Sequence, residues 1–170
     1  MDDENKICIN TQIFVSYDEY EKNMNCLKQL FEKDFRLMDT FTLQTLYTCY
    51  KLLKSGISVS DNYNTGLCLS TFSGAGSSVK EAANNISENG YTGINPSKFP
   101  NVMLSTALMY TARYLNTHGS SCVLIERDKF CKDALDYGKV MLFSGKCKSF
   151  IVIFTEENMY SEGWFLTNVC

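Results

Sequence analysis

The chain has 170 residues, 45% apolar and 21% charged, with two prolines. That is enough for one domain with its own core, too little for two, and the wrong balance for a disordered segment. A net charge of −3 with 16 scattered lysines and arginines argues against the basic stripe of a nucleic-acid surface, and no apolar run approaches the roughly 18 residues of a membrane-spanning helix.

The start, Met1-Asp2-Asp3-Glu4-Asn5, is acidic where a signal peptide is basic and then apolar, so a cytoplasmic location is expected. Eight cysteines, Cys8, Cys26, Cys49, Cys68, Cys122, Cys131, Cys147 and Cys170, contain no C-x-x-C pair. Several fall at apolar positions of expected strands and helices, where a reduced thiol behaves as a small hydrophobe; the set reads as structural free thiols in a reducing compartment. With His118 the single histidine, a zinc cluster would depend on thiolates from distant elements, and no metal site is expected.

Along the chain, KICINTQIFV (6–15) reads as a short strand and its continuation, and residues 17–33 as a polar helix. The first strong helical pattern runs from Arg36 to Lys54. Met38, Phe41, Thr42, Thr45, Leu46, Cys49, Leu52 and Leu53 recur there at spacings of three and four, and Gly56 is placed to end it. TGLCLSTF (65–72) is almost unbroken in apolarity, the pattern of a strand covered on both faces. Ser73-Gly74-Ala75-Gly76-Ser77-Ser78 then leads into a helix over 78–89. Its G-x-G could cradle a phosphate at the helix N-terminus, but Val79 leaves the G-x-G-x-x-G fingerprint incomplete, and a plain turn is the simpler reading.

Both prolines lie in GINPSKFP (93–100), an extended loop opening onto a helix from Asn101 to Asn116. Leu104, Leu108, Ala112 and Leu115 share one face of that helix; Val102, Met109 and small residues fill the other, so burial on two sides is expected. His118-Gly119 turns the chain into a strand from Cys122 to Ile125, followed by a helix from Lys129 to Phe143, a stop at Ser144-Gly145 and an apolar strand from Phe150 to Phe154. Strand and helix alternate from residue 65 onward. The expectation is one α/β domain over 1–170, its mainly parallel mixed sheet flanked by helices.

The turn Glu126-Arg127-Asp128 sits at a strand-to-helix junction, where α/β enzymes often place a catalytic group. Asp128 suits a helix N-cap, since its oxygen can accept an orphan backbone N–H and a negative charge there is favoured by the helix dipole; a catalytic acid or base is the alternative. Cys131, one turn into the expected helix, reads as a packed structural thiol, the alternative being a nucleophile, which would need a base to form thiolate.

Four colinear stretches then resemble one family: DFRLMDTFTLQTLYTCYKLLKSG (34–56), TGLCLSTFSGAGSS (65–78), INPSKFPNVMLSTALMYTARYLNTHGSS (94–121) and KDALDYGKVMLFSGKCKSFIVIFTEE (132–157). In order and spacing they are similar to the N-terminal half of β-ketoacyl synthases, the thiolase-like condensing enzymes of fatty-acid and polyketide biosynthesis. The resemblance implies a layered thiolase-like half and puts the family's nucleophilic cysteine at the turn before Lys132-Asp133-Ala134-Leu135. The family's interval lands on Asp128, with Cys131 three residues later and expected on the helix rather than at its tip.

It also implies that the family's second half, with its catalytic histidines and lysine, is missing beyond Cys170. His118 matches a helix-to-strand turn and does not stand in for them. No catalytic residue is therefore expected, and no cofactor. Chain-length factors, relatives that lack the cysteine, pair with an active ketosynthase and help shape its cavity. By the same resemblance Met103, with Phe99 and Asn101 of the P-x-x-F-P-N-like loop, belongs to the acyl pocket or the oligomer interface. The expected role is a non-catalytic subunit acting with a ketosynthase, a complementary C-terminal half or an acyl carrier protein, as a homo- or hetero-oligomer. The alternative is an acyltransferase or condensing-enzyme component, active through Asp128 or Cys131 once a partner supplies the second half.

Overall fold

The computed structural model describes residues 7–59, 61–128 and 130–168. Lys6 and Lys129, at the starts of an expected strand and helix, and Cys170, one of the expected free thiols, lie outside the described residues. Among the described residues five strands form one mixed sheet: β1 (Ile7–Ser16), β2 (Thr65–Thr71), β3 (Ser121–Ile125), β4 (Ser149–Glu156) and β5 (Tyr160–Asn168). Their order is β1-β5-β4-β2-β3. β2 pairs in parallel with β3 on one side and β4 on the other, while β4–β5 and β1–β5 are antiparallel.

The alternation of side chains along each strand assigns the two faces. Leu67 and Leu69 of β2, Ile151 and Ile153 of β4 and Phe165 of β5 form one core with α2 (Thr40–Lys54) and α4 (Leu104–Leu115). Their neighbours Cys68, Phe150, Val152, Phe154 and Trp164 form a second core on the opposite face with α5 (Lys132–Phe143). Every residue of β2 is buried, which is why its sequence shows no polar alternation. A third cluster, around Val15, Tyr20, Leu27 and Leu46, packs α1 (Tyr17–Phe31) against α2.

Helix starts differ from the periodicity for local reasons. Asp39 accepts from the Thr42 N–H at 2.9 Å, so α2 begins at Thr40, and residues from Phe35 to Leu37 form a separate 3-10 turn. Phe99–Val102 forms another 3-10 turn, Met103 is extended, and α4 begins at Leu104. Burial of α4 is one-sided: Ala107, Thr111 and Leu115 are buried while Met109 is 53% exposed, so the expected second buried face faces solvent instead.

The sequence reading contained no strand after residue 154, because Ser161, Glu162 and Gly163 interrupt the apolar pattern. β5 exists nonetheless, returned by a tight turn with Asn158 at φ 61° and clamped from α2. Gln44, fully buried, donates to the Glu156 carbonyl at 3.2 Å and accepts from the Asn158 N–H at 3.2 Å. Gly163 sits at a close approach, since a Cβ there would lie 3.2–3.3 Å from Thr48, Ile13 and Ile153, tighter than an ordinary van der Waals contact.

Candidate functional site

β2, β3 and β4 run parallel, so the loops leaving their C-terminal ends gather at one edge of the sheet, the usual place for a site in an α/β fold. The β3–α5 turn and the β2–α3 loop meet there, with α3 spanning Gly76–Asn89. In both places a glutamate of this chain occupies the backbone donors.

At the β3–α5 turn, Glu126 is 3% exposed. Its Oε2 accepts from the Asp133 N–H at 3.0 Å and its Oε1 from the Ala134 N–H at 2.9 Å. These are first-turn donors of α5, which have no partner within the helix. The expected capping by Asp128 is therefore corrected. Asp128 stays in the turn, where its Oδ1 accepts from the Phe130 N–H at 3.0 Å, because α5 begins three residues later than its position requires. Arg127 makes a bidentate pair with Asp133, Nε and Nη2 at 3.0 and 2.9 Å, and the guanidinium holds the Asp133 carboxyl below the usual range.

Cys131 also moves from its expected place. It is not inside the helix but is the N-cap residue, in the left-handed conformation at φ 50° and ψ 29°. Its side chain is buried, 3.3 Å from Ser70 Oγ. Burial pushes the thiol up to about 12, against the lowering effect of Ser70 and with Glu126 and Glu162 adding to the rise. A nucleophile needs the thiolate, and this thiol is held protonated. His118 cannot remove the proton, because it precedes β3 and the turn follows it. Five strand residues, about 16 Å, separate them, and His118 stacks on Tyr63 with ring centroids 5.0 Å apart.

The β2–α3 loop carries the G-x-G stretch. Glu156, buried at the end of β4, accepts through Oε1 from Thr71 Oγ1 at 3.0 Å, from the Ser73 N–H at 3.1 Å and from the Phe72 N–H, and through Oε2 from Ser73 Oγ at 2.6 Å. Glu157 Oε2 accepts from the Ser77 N–H at 2.8 Å at the start of α3. The donors that would cradle a phosphate hold carboxylates of the chain, in line with the plain-turn reading. Sequence reasoning missed Glu126 and Glu156. The only signal for either was an acidic residue at the end of an apolar strand.

Phe99 and Asn101 line a cavity of about 360 Å³ together with Tyr20, Phe35, Met38 and Leu43. Asn101 is buried and donates to the Leu37 carbonyl at 2.8 Å, tying the loop to the start of α2. Met103 lies outside this cavity and is 49% exposed, so the structure brings two of the three residues together and leaves the third on the surface. Among the described residues no group of three or more His, Cys, Asp or Glu is placed to hold a metal ion, and no helix is long and apolar enough to cross a membrane.

No family model matches the sequence, and no curated protein matches it. Solved structures do match. The ishigamide ketosynthase/chain length factor superposes with a TM-score of 0.78 at 14% identity, over 96% of this chain and 62% of that one. The ketosynthase ApeO in complex with its chain length factor ApeC, from Xenorhabdus doucetiae, gives 0.70 at 9% identity, over 98% of this chain and 81% of that one. A type II polyketide synthase acyl-carrier protein in complex with its hexaketide-bound ketosynthase, AntDE:AntF, gives 0.78 at 10%, over 97% and 63%. The chain thus has the fold of ketosynthases and chain length factors, and it spans about three-fifths of the length of two of these neighbours.

Proposed function

We propose that this protein is a non-catalytic ketosynthase-like subunit that acts bound to a partner ketosynthase, or to a complementary second half, and with an acyl carrier protein in polyketide or fatty-acid biosynthesis. The observation that carries this reading is the closed β3–α5 turn. The donors at its helix tip are occupied by Glu126, the thiol beside them is buried and raised by that burial, and the lone histidine is at the other end of β3. Condensation needs a thioester on sulfur and free donors for the enolate oxygen, and this turn offers neither.

Two features support the association. β3 is an edge strand of five residues, Ser-Cys-Val-Leu-Ile, without charge or proline, and natural edges of this kind are covered to prevent adventitious pairing. Ile125 at the end of β3, Met103 before α4 and Met109 on α4 are exposed, and flexible methionines suit a contact surface. The match to ApeO in complex with ApeC covers 98% of this chain, which supports a role in such a complex. Free buried thiols fit work in a reducing compartment such as the cytoplasm.

The test is to purify the chain with a ketosynthase encoded beside it, measure the mass of the complex by light scattering, and treat it with an acyl thioester. A stable complex acylated on the ketosynthase cysteine alone, whose product length changes when this chain is omitted, is expected. A monomer that captures neither ketosynthase nor carrier protein overturns the proposal. A second reading, acyl transfer through Cys131 with a partner's base, is favoured by one observation, the left-handed backbone that puts Cys131 at the helix tip. An acyl adduct on Cys131 in the complex would establish that reading in place of the first.

A further inference from the structure

Among the free thiols, Cys68 and Cys122 stand apart because they face each other. β2 and β3 are parallel and in register there, with Cys68 opposite Cys122, and register partners in a sheet extend their side chains to the same face. Both lie in the core under α5, Cys68 fully buried and Cys122 half-buried on the edge strand. Neighbouring strands run about 4.8 Å apart, which falls inside the Cα separation of roughly 4.4–6.8 Å that a disulfide bridges. The proposed function uses Cys122 only as one residue of the β3 edge and gives neither thiol a chemical role.

We propose that Cys122 is a hydroperoxide-reactive modification site and that Cys68 resolves it to an intramolecular disulfide. In the first step the Cys122 thiolate attacks one peroxide oxygen, the O–O bond breaks, and a proton accompanies the departing oxygen, leaving a sulfenic acid and water. In the second the Cys68 sulfur attacks the sulfenic sulfur, the S–O bond breaks, and the Cys68 proton leaves with the hydroxyl as a second water. In total, two thiols are oxidised to a disulfide and one peroxide is reduced to two waters.

The surroundings favour this assignment of roles. Cys68 beside it lowers the Cys122 thiol against the opposing effect of burial, and Tyr137 of α5 lowers it further. Cys68 is raised, first by that same contact and then by burial, with Cys122, Cys131 and Glu126 adding to the rise. The thiol that is accessible is thus the one that ionises, and the protonated one behind it is the resolver. A low, accessible thiol beside a second cysteine is the usual arrangement of a redox-sensitive pair.

A rate above that of a cysteine model peptide is expected.

The experiment treats the folded full chain with one equivalent of hydrogen peroxide at pH 7, blocks the remaining thiols with N-ethylmaleimide, and maps peptides by mass spectrometry. A Cys68–Cys122 linkage ahead of any other is expected. Cys68→Ala should instead accumulate a dimedone-reactive sulfenic acid at Cys122, and Cys122→Ser should lose the fast phase. If the variants fail to fold, the wild-type map and rate decide by themselves. A linkage from Cys122 to Cys131, or a Cys122 rate no greater than that of the peptide, overturns the proposal.

Discussion

Replacing Glu126 by alanine separates the capping arrangement seen here from the one that the turn's sequence suggests. The side chain is buried and accepts two backbone N–H bonds of 2.9 and 3.0 Å at the start of α5. Each hydrogen bond to a charged group contributes about 1.5–3 kcal/mol, and loss of a helix cap alone costs about 0.5–2 kcal/mol. Water entering the vacated space would satisfy part of what is freed, so a net loss of about 2–4 kcal/mol is expected. For a chain of this size that lowers the melting temperature by roughly 4–16 °C. Asp128→Ala removes one bond in an exposed turn and should cost no more than about 0.5 kcal/mol. Paired urea and thermal denaturation of the two variants is the assay. Equal losses, or a larger loss for Asp128→Ala, would refute the assignment of the cap to Glu126.

Three further outcomes are expected. Gly66→Ala places a Cβ against the Phe150 ring and 2.9 Å from Cys147 Sγ in a strand without free space; overpacking of this kind costs about 1–3 kcal/mol, and Phe150→Leu in the same chain should recover part of the urea midpoint. Burial raises the carboxyl of Glu162 despite its hydrogen bond from Gln12, so the folded state binds that proton more tightly than the unfolded one and the group's effect on stability improves as pH falls through the raised value. Glu162→Gln should therefore stabilise the protein at pH 7 and lose that advantage below about pH 4, the unfolded carboxyl's range, as read from melting temperatures across pH. Met103→Asp together with Met109→Asp, both at exposed positions, should leave stability within about 0.5 kcal/mol and weaken ketosynthase binding by tenfold or more in calorimetry; unchanged affinity would remove the α4 surface from the interface.

The layered architecture was legible because it rests on short-range patterns. The stretch 65–71 is apolar throughout because its strand is central and covered twice, and the three-and-four spacing marks α2 as a helix, but its residues from Phe41 to Cys49 are all buried and divided between two clusters rather than confined to one core-facing stripe. What could not be read depends on contacts between residues distant in sequence. β5 is a strand because β1 and β4 flank it and Gln44 clamps its turn, and none of this is written in Tyr160–Asn168. At the site, Asp128 has the better local credentials for a cap, but α5 starts at Lys132, which puts Cys131 rather than Asp128 at the capping position and lets Glu126 reach over it. A shift of three residues in one boundary thus exchanged the roles of three side chains.

The same geometry bears on whether a partner could restore chemistry to the turn. An oxyanion site works when its donors are preorganised and free at the moment charge develops. Here the Glu126 side chain already fills them. Displacing it forfeits two bonds of about 1.5–3 kcal/mol each, so a substrate oxygen competing for those donors faces about 3–6 kcal/mol, or roughly a hundredfold to ten-thousandfold in rate or affinity. A cationic residue brought by a partner would not help, since it would draw Glu126 away only by pairing with it inside the pocket the substrate must enter. The donors themselves move only if the first turn of α5 unwinds or shifts, and α5 is held along its length by Ala134, Met141 and Leu142 in the core. A partner's influence is therefore expected on surfaces that are open, the β3 edge and the outer face of α4, rather than at the turn.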